Sequence, residues 1–354
     1  MQRPRDCDRI IMRICHINLA KDYRGGERQT ELLVRELADR GWRQRLVVRK
    51  GQELAVRCRD VEQLEIIEGS SNLLAAGRAT KGASLVHAHE ARGVYAGWFG
   101  TLVYGTPLIL TRRVTRAQKS SWFRDRAYRS ASAIVGVSGA VAEHIKDSYP
   151  DLNPVVIASA HANLSVDAEF ASALRKKFGA KTLIGHIGSY DHSHKGQLTI
   201  IEVAKRVATE WPNWQFLLLG AGKDAAVFRE RIGSLKNIEL IGFVDNVGDY
   251  LTAFDVFVFP SLHEALGSSV LDAMHFGLPI VATRVGGIPE FVEDGVNGFL
   301  IKRESPDELM AGIEKITNNP TLVDAMHLAN RAKAAEYDAA RMAAAYEKIY
   351  RQLL

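Results

Sequence analysis

The sequence predicts an α/β protein of two domains, each a parallel sheet wound from βαβ units. Three observations carry that prediction. The 354 residues suffice for two separate cores. Unbroken apolar runs such as 256–260 (VFVFP) fit strands buried on both faces, and they alternate with stretches of helical spacing. Glycines mark strand-to-helix junctions, Gly25-Gly26 in the first half and Gly286-Gly287 in the second.

Composition is ordinary for a soluble globular chain, 47% hydrophobic and 25% charged, with a formal net charge of +5. Cys7, Cys15 and Cys58 form no CxxC pair, which argues against a disulfide framework and fits a reducing cytoplasm. Arg13 and His16 interrupt the apolar residues after the basic start, so no secretory h-region forms, and Met12 offers an alternative translation start. The uncharged run 93–111 is long enough to span a bilayer. Its four glycines and Pro107 read better as a buried helix, a turn and a strand.

In the first half, 13–19 is a strand, and Gly25-Gly26-Glu27-Arg28 is a turn able to present helix N–H groups to an anion. A helix carrying Leu32, Leu33 and Leu37 follows and stops at Gly41. Further strands are expected at 44–48, 65–68, 107–111 and 133–138, and 83–90 reads as the end of another. His87 and His89 alternate on one strand face; zinc would need a third ligand, for which the sequence gives no candidate, and a packed, hydrogen-bonded His87 is the competing reading. Between 112 and 129 stand seven basic residues against Asp125 alone, with Trp122 and Phe123 interleaved. That density suits an anionic partner, an acceptor or the acidic inner face of the cytoplasmic membrane; the alternative is a solvated helix face. No recognition motif accompanies the charge, so nucleic acid is not expected. The linker falls at 150–170.

In the second half, 182–188 is a strand, and a loop through Lys195-Gly196 leads into a helix ending near Trp211. Gly220-Ala-Gly222-Lys223 lacks the third glycine of a dinucleotide fingerprint, so no nicotinamide cofactor is expected. Residues 254–298 run strand, loop, helix, strand, Gly-Gly turn and a further helix opened by Pro289. Gly277 supplies the left-handed cap of the inner helix. The chemistry lies in the loop. Glu264 sits past the carboxyl end of a strand, where open α/β sheets bind ligands. Leu266, Gly267, Ser268 and Ser269 offer N–H groups at a helix start, suited to a diphosphate, and Asp272 lies a turn deeper. Two carboxylates flanking a phosphate site suit a nucleotide sugar. Ser269-x-x-Asp272 as a capping box, with Glu264 a solvated acid, stays open beside it.

At these residues the chain resembles the family-four glycosyltransferases of the GT-B fold. The family's Glu-x7-Glu motif reads Glu264 to Asp272 here, with the second Glu shortened to Asp. Gly277-Leu-Pro-Ile-Val-Ala282 and Gly286-Gly-Ile-Pro-Glu290 follow as they do in the family. The resemblance implies two Rossmann-like domains facing a central cleft: 1–165 for the acceptor, 166–335 for the donor, and a helix at 336–354 crossing back to the first domain. It implies retaining transfer without a metal or cofactor, from a nucleotide-diphosphate sugar to a bacterial surface-glycan precursor such as a lipopolysaccharide core or lipid-linked saccharide, in the cytoplasm or on the inner membrane face. A sugar-nucleotide epimerase of the same fold, or a silent nucleotide-sugar-binding protein, is the alternative. The roles it implies are Glu264, Lys195 and Arg113 in catalysis. Gly188, Ser189, His194, Gly242, Phe243, Val244, His263, Ala265, Leu266, Gly267, Ser268 and Asp272 would surround the donor. Gly25, Gly26, His89, Glu90, Arg112 and Arg116 would line the acceptor side. Relatives carry an Arg before the Lys-Gly pair; this chain has His192 and His194 instead.

Overall fold

A computed structural model describes residues 13–69, 72–115 and 121–354. The chain forms two units, Met1–Ala160 with Ala339–Leu354, and His161–Asp338. Each is built on one parallel sheet. In the first unit the strands are β1 (Arg13–Asn18), β2 (Arg43–Arg49), β3 (Leu64–Gly69), β4 (Leu85–Ala88), β5 (Leu108–Arg112), β6 (Ala133–Gly136) and β7 (Val155–Val156), ordered β3-β2-β1-β4-β5-β6-β7. The second unit has β8 (Thr182–Ile187), β9 (Trp214–Leu219), β10 (Ile238–Gly242), β11 (Val256–Phe259), β12 (Ile280–Thr283) and β13 (Gly298–Ile301), ordered β10-β9-β8-β11-β12-β13.

In both sheets the chain starts in the middle, winds one way, then returns to the other side of its first strand. The order therefore reverses between β1 and β4 and between β8 and β11, and open α/β sheets hold ligands at the carboxyl ends of such strand pairs. The central strands are buried on both faces: every residue of β4, β9, β11 and β12 is buried. This is why they read as unbroken apolar runs rather than alternating ones.

The helix Ala339–Leu353 packs on the first unit's sheet, with Met342, Tyr346 and Tyr350 joining Ile14, Leu37, Leu85 and Ile109 in one core. Its two tyrosines reach a polar network inside that core. Tyr350 meets His87 Nδ1 at 2.7 Å, Thr111 Oγ1 meets His87 Nε2 at 2.7 Å, and Tyr346 meets Thr111 at 2.9 Å. Beside it, His16 Nδ1 meets His89 Nε2 at 2.9 Å and His16 Nε2 meets Gln44 at 3.1 Å. Burial disfavours the charged form of all three rings: His16 is pulled down to about 4, and His87 and His89 well below the ordinary value near 6.5. Unfolded histidines bind protons that the folded ones refuse, so stability is full above about pH 6.5 and is lost as pH falls towards about 4. Glu27, whose carboxyl burial raises, opposes this with one group against three. The melting temperature is expected to fall steadily from about pH 6.5 to about pH 4.5, above the range where carboxylates dominate. A flat profile there would refute a neutral buried cluster.

Several elements differ from the sequence expectation. Gly25 and Gly26 are not a turn but the first residues of the helix Gly25–Asp39, whose end is closed by Glu27 accepting from Arg24 N–H at 3.1 Å. Residues 91–104 form a helix capped by left-handed Gly105, as expected, yet Leu102 and Val103 are exposed rather than buried. A helix, Ala168–Phe178, capped by the Asp167 side chain, begins inside the expected linker and runs past its end. After the Gly-Gly turn there is only a 3-10 turn, Ile288–Glu290. The Asn297 side chain there bonds Phe291 C=O and Glu293 N–H, diverting the backbone into a loop before β13. Gly277 takes φ +80 as its capping role requires, and a Cβ there would strike the His327 ring. No helix among the described residues is long and apolar enough to cross a membrane.

Candidate active site

In the second unit the reversal point lies between β8 and β11, and the loops leaving these strands converge. After β8, Gly188 leads to a single helical turn, His192–Lys195, ended by Gly196 at φ +65. A Cβ on Gly196 would lie 1.9 Å from the Pro260 carbonyl, so only glycine lets this loop reach the one after β11. The His194 carbonyl accepts from Leu262 N–H at 2.7 Å and completes the junction.

Lys195 extends from this turn past Gly188, where a Cβ would stand 3.5 Å from its Cδ, and its ammonium lies 5.0 Å from the Phe259 ring centre. It pairs with the carboxylate of Glu264, which also accepts from Ser261 Oγ at 2.9 Å. The two side chains are only 22% and 10% exposed, so Glu264 is not a solvated loop acid. Behind it, Gly286 at φ +53 abuts the Glu264 backbone, and Gly287 N–H donates to Ala265 C=O at 3.1 Å. The Gly-Gly turn thus fixes where the Glu264 carboxylate points.

Next in sequence, Leu266 is buried and Gly267 is the left-handed N-cap of the helix Ser268–His275. No side chain caps this helix, so Ser269-x-x-Asp272 is not a capping box. The first N–H groups of a helix have no partner within it. Here Ser268 and Ser269 supply them, just after the Ala265–Leu266 bend beside the Lys195–Glu264 pair. Asp272 is buried, and its Oδ1 accepts from Ala162 N–H at 2.7 Å, which anchors the carboxylate to the segment entering the unit.

The neighbouring loops are built as strongly. Burial would raise Asp191, but hydrogen bonds from Ser193, His194 and Lys223 hold it down at about 2. His194 Nδ1 lies 3.2 Å from Asp191, while its ring lies 6.0 Å from that of His263. His192 pairs with Asp224 at 2.7 Å. Committed in this way, His192 is not free to stand in for the Arg that relatives carry. Ser189 C=O accepts from the Gln197 side chain at 2.7 Å. At the end of β10, Gly242 takes φ +91 with its N–H 3.2 Å from the Tyr190 hydroxyl, and Phe243 is exposed, with Val244 following it.

The first unit's expected residues divide sharply. Arg113, just past β5, donates from Nη1 to Ser159 Oγ at 3.1 Å, while its Nε and Nη2 are shut from solvent with no partner among the described residues. Burial pulls this guanidinium below its usual value, against the pull of Tyr346, Glu27 and Tyr350. Gly26 lies against it, 3.5 Å from a would-be Cβ to Arg113 Cδ, while Gly25 has open space around it. Arg112 does not line an acceptor face: it is buried, bonding Val114 C=O and the Tyr128 hydroxyl. Glu90 does not either, because it caps the helix Ala91–Tyr104 and accepts from Leu19, Arg92 and Gly93 N–H. His89 is buried against His16, with only Nδ1 lacking a partner. Arg116, like Lys119, Cys7 and Met12, lies outside the described residues.

His16 is the third histidine that the local sequence could not supply. It stands beside His87 and His89 with ligand atoms within 4.8 Å, the only such metal-compatible group among the described residues. Five of the six ring nitrogens are already hydrogen-bonded, so the cluster fits a polar core better than a coordination sphere. Sequence reading also missed Ser261 and Phe259, which brace Glu264 and Lys195; their signal was their position at the end of a buried strand.

The family model described as glycosyl transferases group 1 matches residues 181–319. An uncharacterized glycosyltransferase of Haemophilus influenzae is 29% identical over 158 residues, so that the match spans 44% of each chain. The lipopolysaccharide core biosynthesis glycosyltransferase LpsE of Rhizobium meliloti is 26% identical over 322 residues, 88% of this chain and 90% of that one. The crystal structure of Anabaena Alr3699/HepE in complex with UDP and glucose superposes with TM-score 0.86 at 18% identity, covering 96% of this chain and all of that one. Residues 181–319 thus match the glycosyl transferases group 1 model, and the chain has the fold of the GT-B glycosyltransferases.

Proposed function

We propose that the chain moves a sugar, with retention of configuration, from a nucleoside-diphosphate donor to a glycan or glycolipid precursor of the bacterial envelope. The observation that carries the donor assignment is the Lys195–Glu264 pair beside the open N-terminus of the helix Ser268–His275, at the reversal point of the sheet. In this reading the diphosphate lies against the Ser268 and Ser269 N–H groups and the Lys195 ammonium. As the glycosidic bond breaks, negative charge grows on the leaving phosphate, and these fixed donors stabilise it where it forms. Glu264 accepts from sugar hydroxyls and orients the reacting carbon; Asp272, anchored by Ala162, faces the ribose. Phe243 and Val244 border the base. Charge neutralisation by Lys195 and helix amides calls for no divalent ion, so transfer is expected to persist in a chelator. Arg113 of the first unit has two unpartnered N–H groups, suited to an anionic or hydroxyl-rich ligand. The relation to a lipopolysaccharide core enzyme over nearly the whole chain supports an envelope acceptor.

A thermal-shift series with UDP, GDP, ADP and CMP sugars tests the donor. A ligand at about 100 times its dissociation constant contributes about 2.7 kcal/mol, a shift of several degrees. One nucleoside-diphosphate sugar is expected to stand out and CMP sugars, with a single phosphate, to give little. No shift with any of them would remove the proposal.

A further inference from the structure

We propose that His186 is a positioning residue for Lys195, its Nε2 receiving an N–H of the Lys195 ammonium when that ammonium turns from Glu264 to the donor diphosphate. The inference deepens the donor reading above and rests on it. His186 lies on β8, two residues before Gly188, and is wholly buried. Its Nδ1 stands 3.0 Å from the Val258 carbonyl oxygen. A carbonyl can only accept, so Nδ1 carries the ring hydrogen. Burial pulls the imidazole down to about 4, against the Val258 bond and with the help of the nearby Lys195 charge, so the ring stays neutral near physiological pH. Nε2 is therefore a bare lone pair, shut from solvent and without a partner among the described residues. Buried polar atoms are rarely left so, because an unmet acceptor carries its full desolvation cost.

The group beside that nitrogen is Lys195. A Cβ on Gly188 would lie 3.0 Å from Nε2 and 3.5 Å from Lys195 Cδ, so the ring edge and the lysine stem border the same point. Gly188 has no left-handed φ that would call for glycine. Space calls for it instead, since any side chain would come between the two. The Phe259 ring flanks both, 5.7 Å from the His186 ring centre and 5.0 Å from Lys195 Nζ. Because Nε2 is closed to solvent, a ligand arriving from outside cannot reach it, whereas an ammonium whose stem already lies alongside can. An ammonium has three N–H groups, and Glu264 accepts from Lys195. In the proposed reaction Glu264 turns to sugar hydroxyls, and an ammonium held by that carboxylate alone would swing towards water. A second, fixed acceptor keeps its charge where the leaving phosphate develops charge of its own. A neutral imidazole suits this task, accepting without adding a second cation.

Three variants separate this role from a structural one. The amide oxygen of glutamine overlays Nε2, the amide nitrogen of asparagine overlays Nδ1, and phenylalanine keeps the ring shape alone. The probes are UDP and UMP, or the corresponding pair if the thermal-shift series selects another base, with affinities read by titration calorimetry. Wild type is expected to bind the diphosphate more tightly than the monophosphate. His186→Phe and His186→Asn should each lose about tenfold in diphosphate affinity with monophosphate affinity unchanged, and His186→Gln should keep most of it. A residue needed only for packing would show the opposite order, because asparagine keeps the bond to Val258. In the Lys195→Ala variant, adding His186→Phe should cost nothing further. Thermal melts verify folding, and if His186→Phe does not fold, the comparison of His186→Gln with His186→Asn decides. Equal affinities in these two, or a His186→Phe loss that persists in Lys195→Ala, overturn the inference and leave the donor reading in place. Lys195→Ala binding the diphosphate as well as wild type removes the donor reading and this inference with it.

Discussion

Replacing Glu264 by Ala is expected to lower glycosyl transfer about 100-fold or more while the chain stays cooperatively folded. The carboxylate is positioned rather than merely present: Lys195 and Ser261 hold it from the front, and the Gly286-Gly287 turn supports its backbone from behind. Removing it leaves the Lys195 ammonium without its partner, but that side chain retains some contact with water, so only a modest fall in melting temperature should follow. Donor binding should survive better than turnover, because the helix amides proposed to hold the diphosphate remain in place. Glu264→Gln keeps the shape and the Ser261 hydrogen bond, and it separates loss of charge from loss of packing. Full activity in Glu264→Ala, measured as nucleoside diphosphate released on transfer, would remove this residue from the site.

Gly286→Ala should have an effect of comparable size by a different route. At φ +53 any side chain is strained by roughly 1–2 kcal/mol. More important, a Cβ would lie 2.0 Å from the Glu264 carbonyl oxygen and 2.7 Å from its carbon, so one of the two loops must shift. Gly295→Ala is the control, because Gly295 has φ +79 but nothing within 4 Å of a would-be Cβ. Both variants should lose stability; only Gly286→Ala should also lose most of its activity. Equal activity in the two would mean that the turn does not set the position of Glu264.

The loops after β8 and β11 are legible in the sequence because their constraints are local. A buried apolar strand, a glycine-capped helix and a Gly-Gly turn each announce themselves within a few residues, so residue pattern places the strands, inner helix and turn of 254–298, whereas Lys195 enters through the family resemblance. What stays hidden depends on distant partners. His16 meets His89 across 73 residues and His87 meets Tyr350 across 263, so neither the histidine cluster nor its tie to the final helix follows from spacing. Glu90 and Arg112 look functional because they sit at strand ends, yet both are consumed, the one by backbone N–H groups and the other by Val114 and Tyr128. The exposure of Leu102 and Val103 escapes because an uncharged helical run reads as buried; only the packing shows them left outside.

The central claim, that the helix end at Ser268 and the Lys195–Glu264 pair grip the diphosphate of a sugar donor, is tested most directly by a crystal structure with the nucleotide sugar that gives the largest thermal shift. Phosphate oxygens within hydrogen-bonding distance of the Ser268 and Ser269 N–H groups and of Lys195 Nζ, with the sugar against Glu264, are the predicted result. A nucleotide bound elsewhere on the second unit, with this helix end unoccupied, would contradict it.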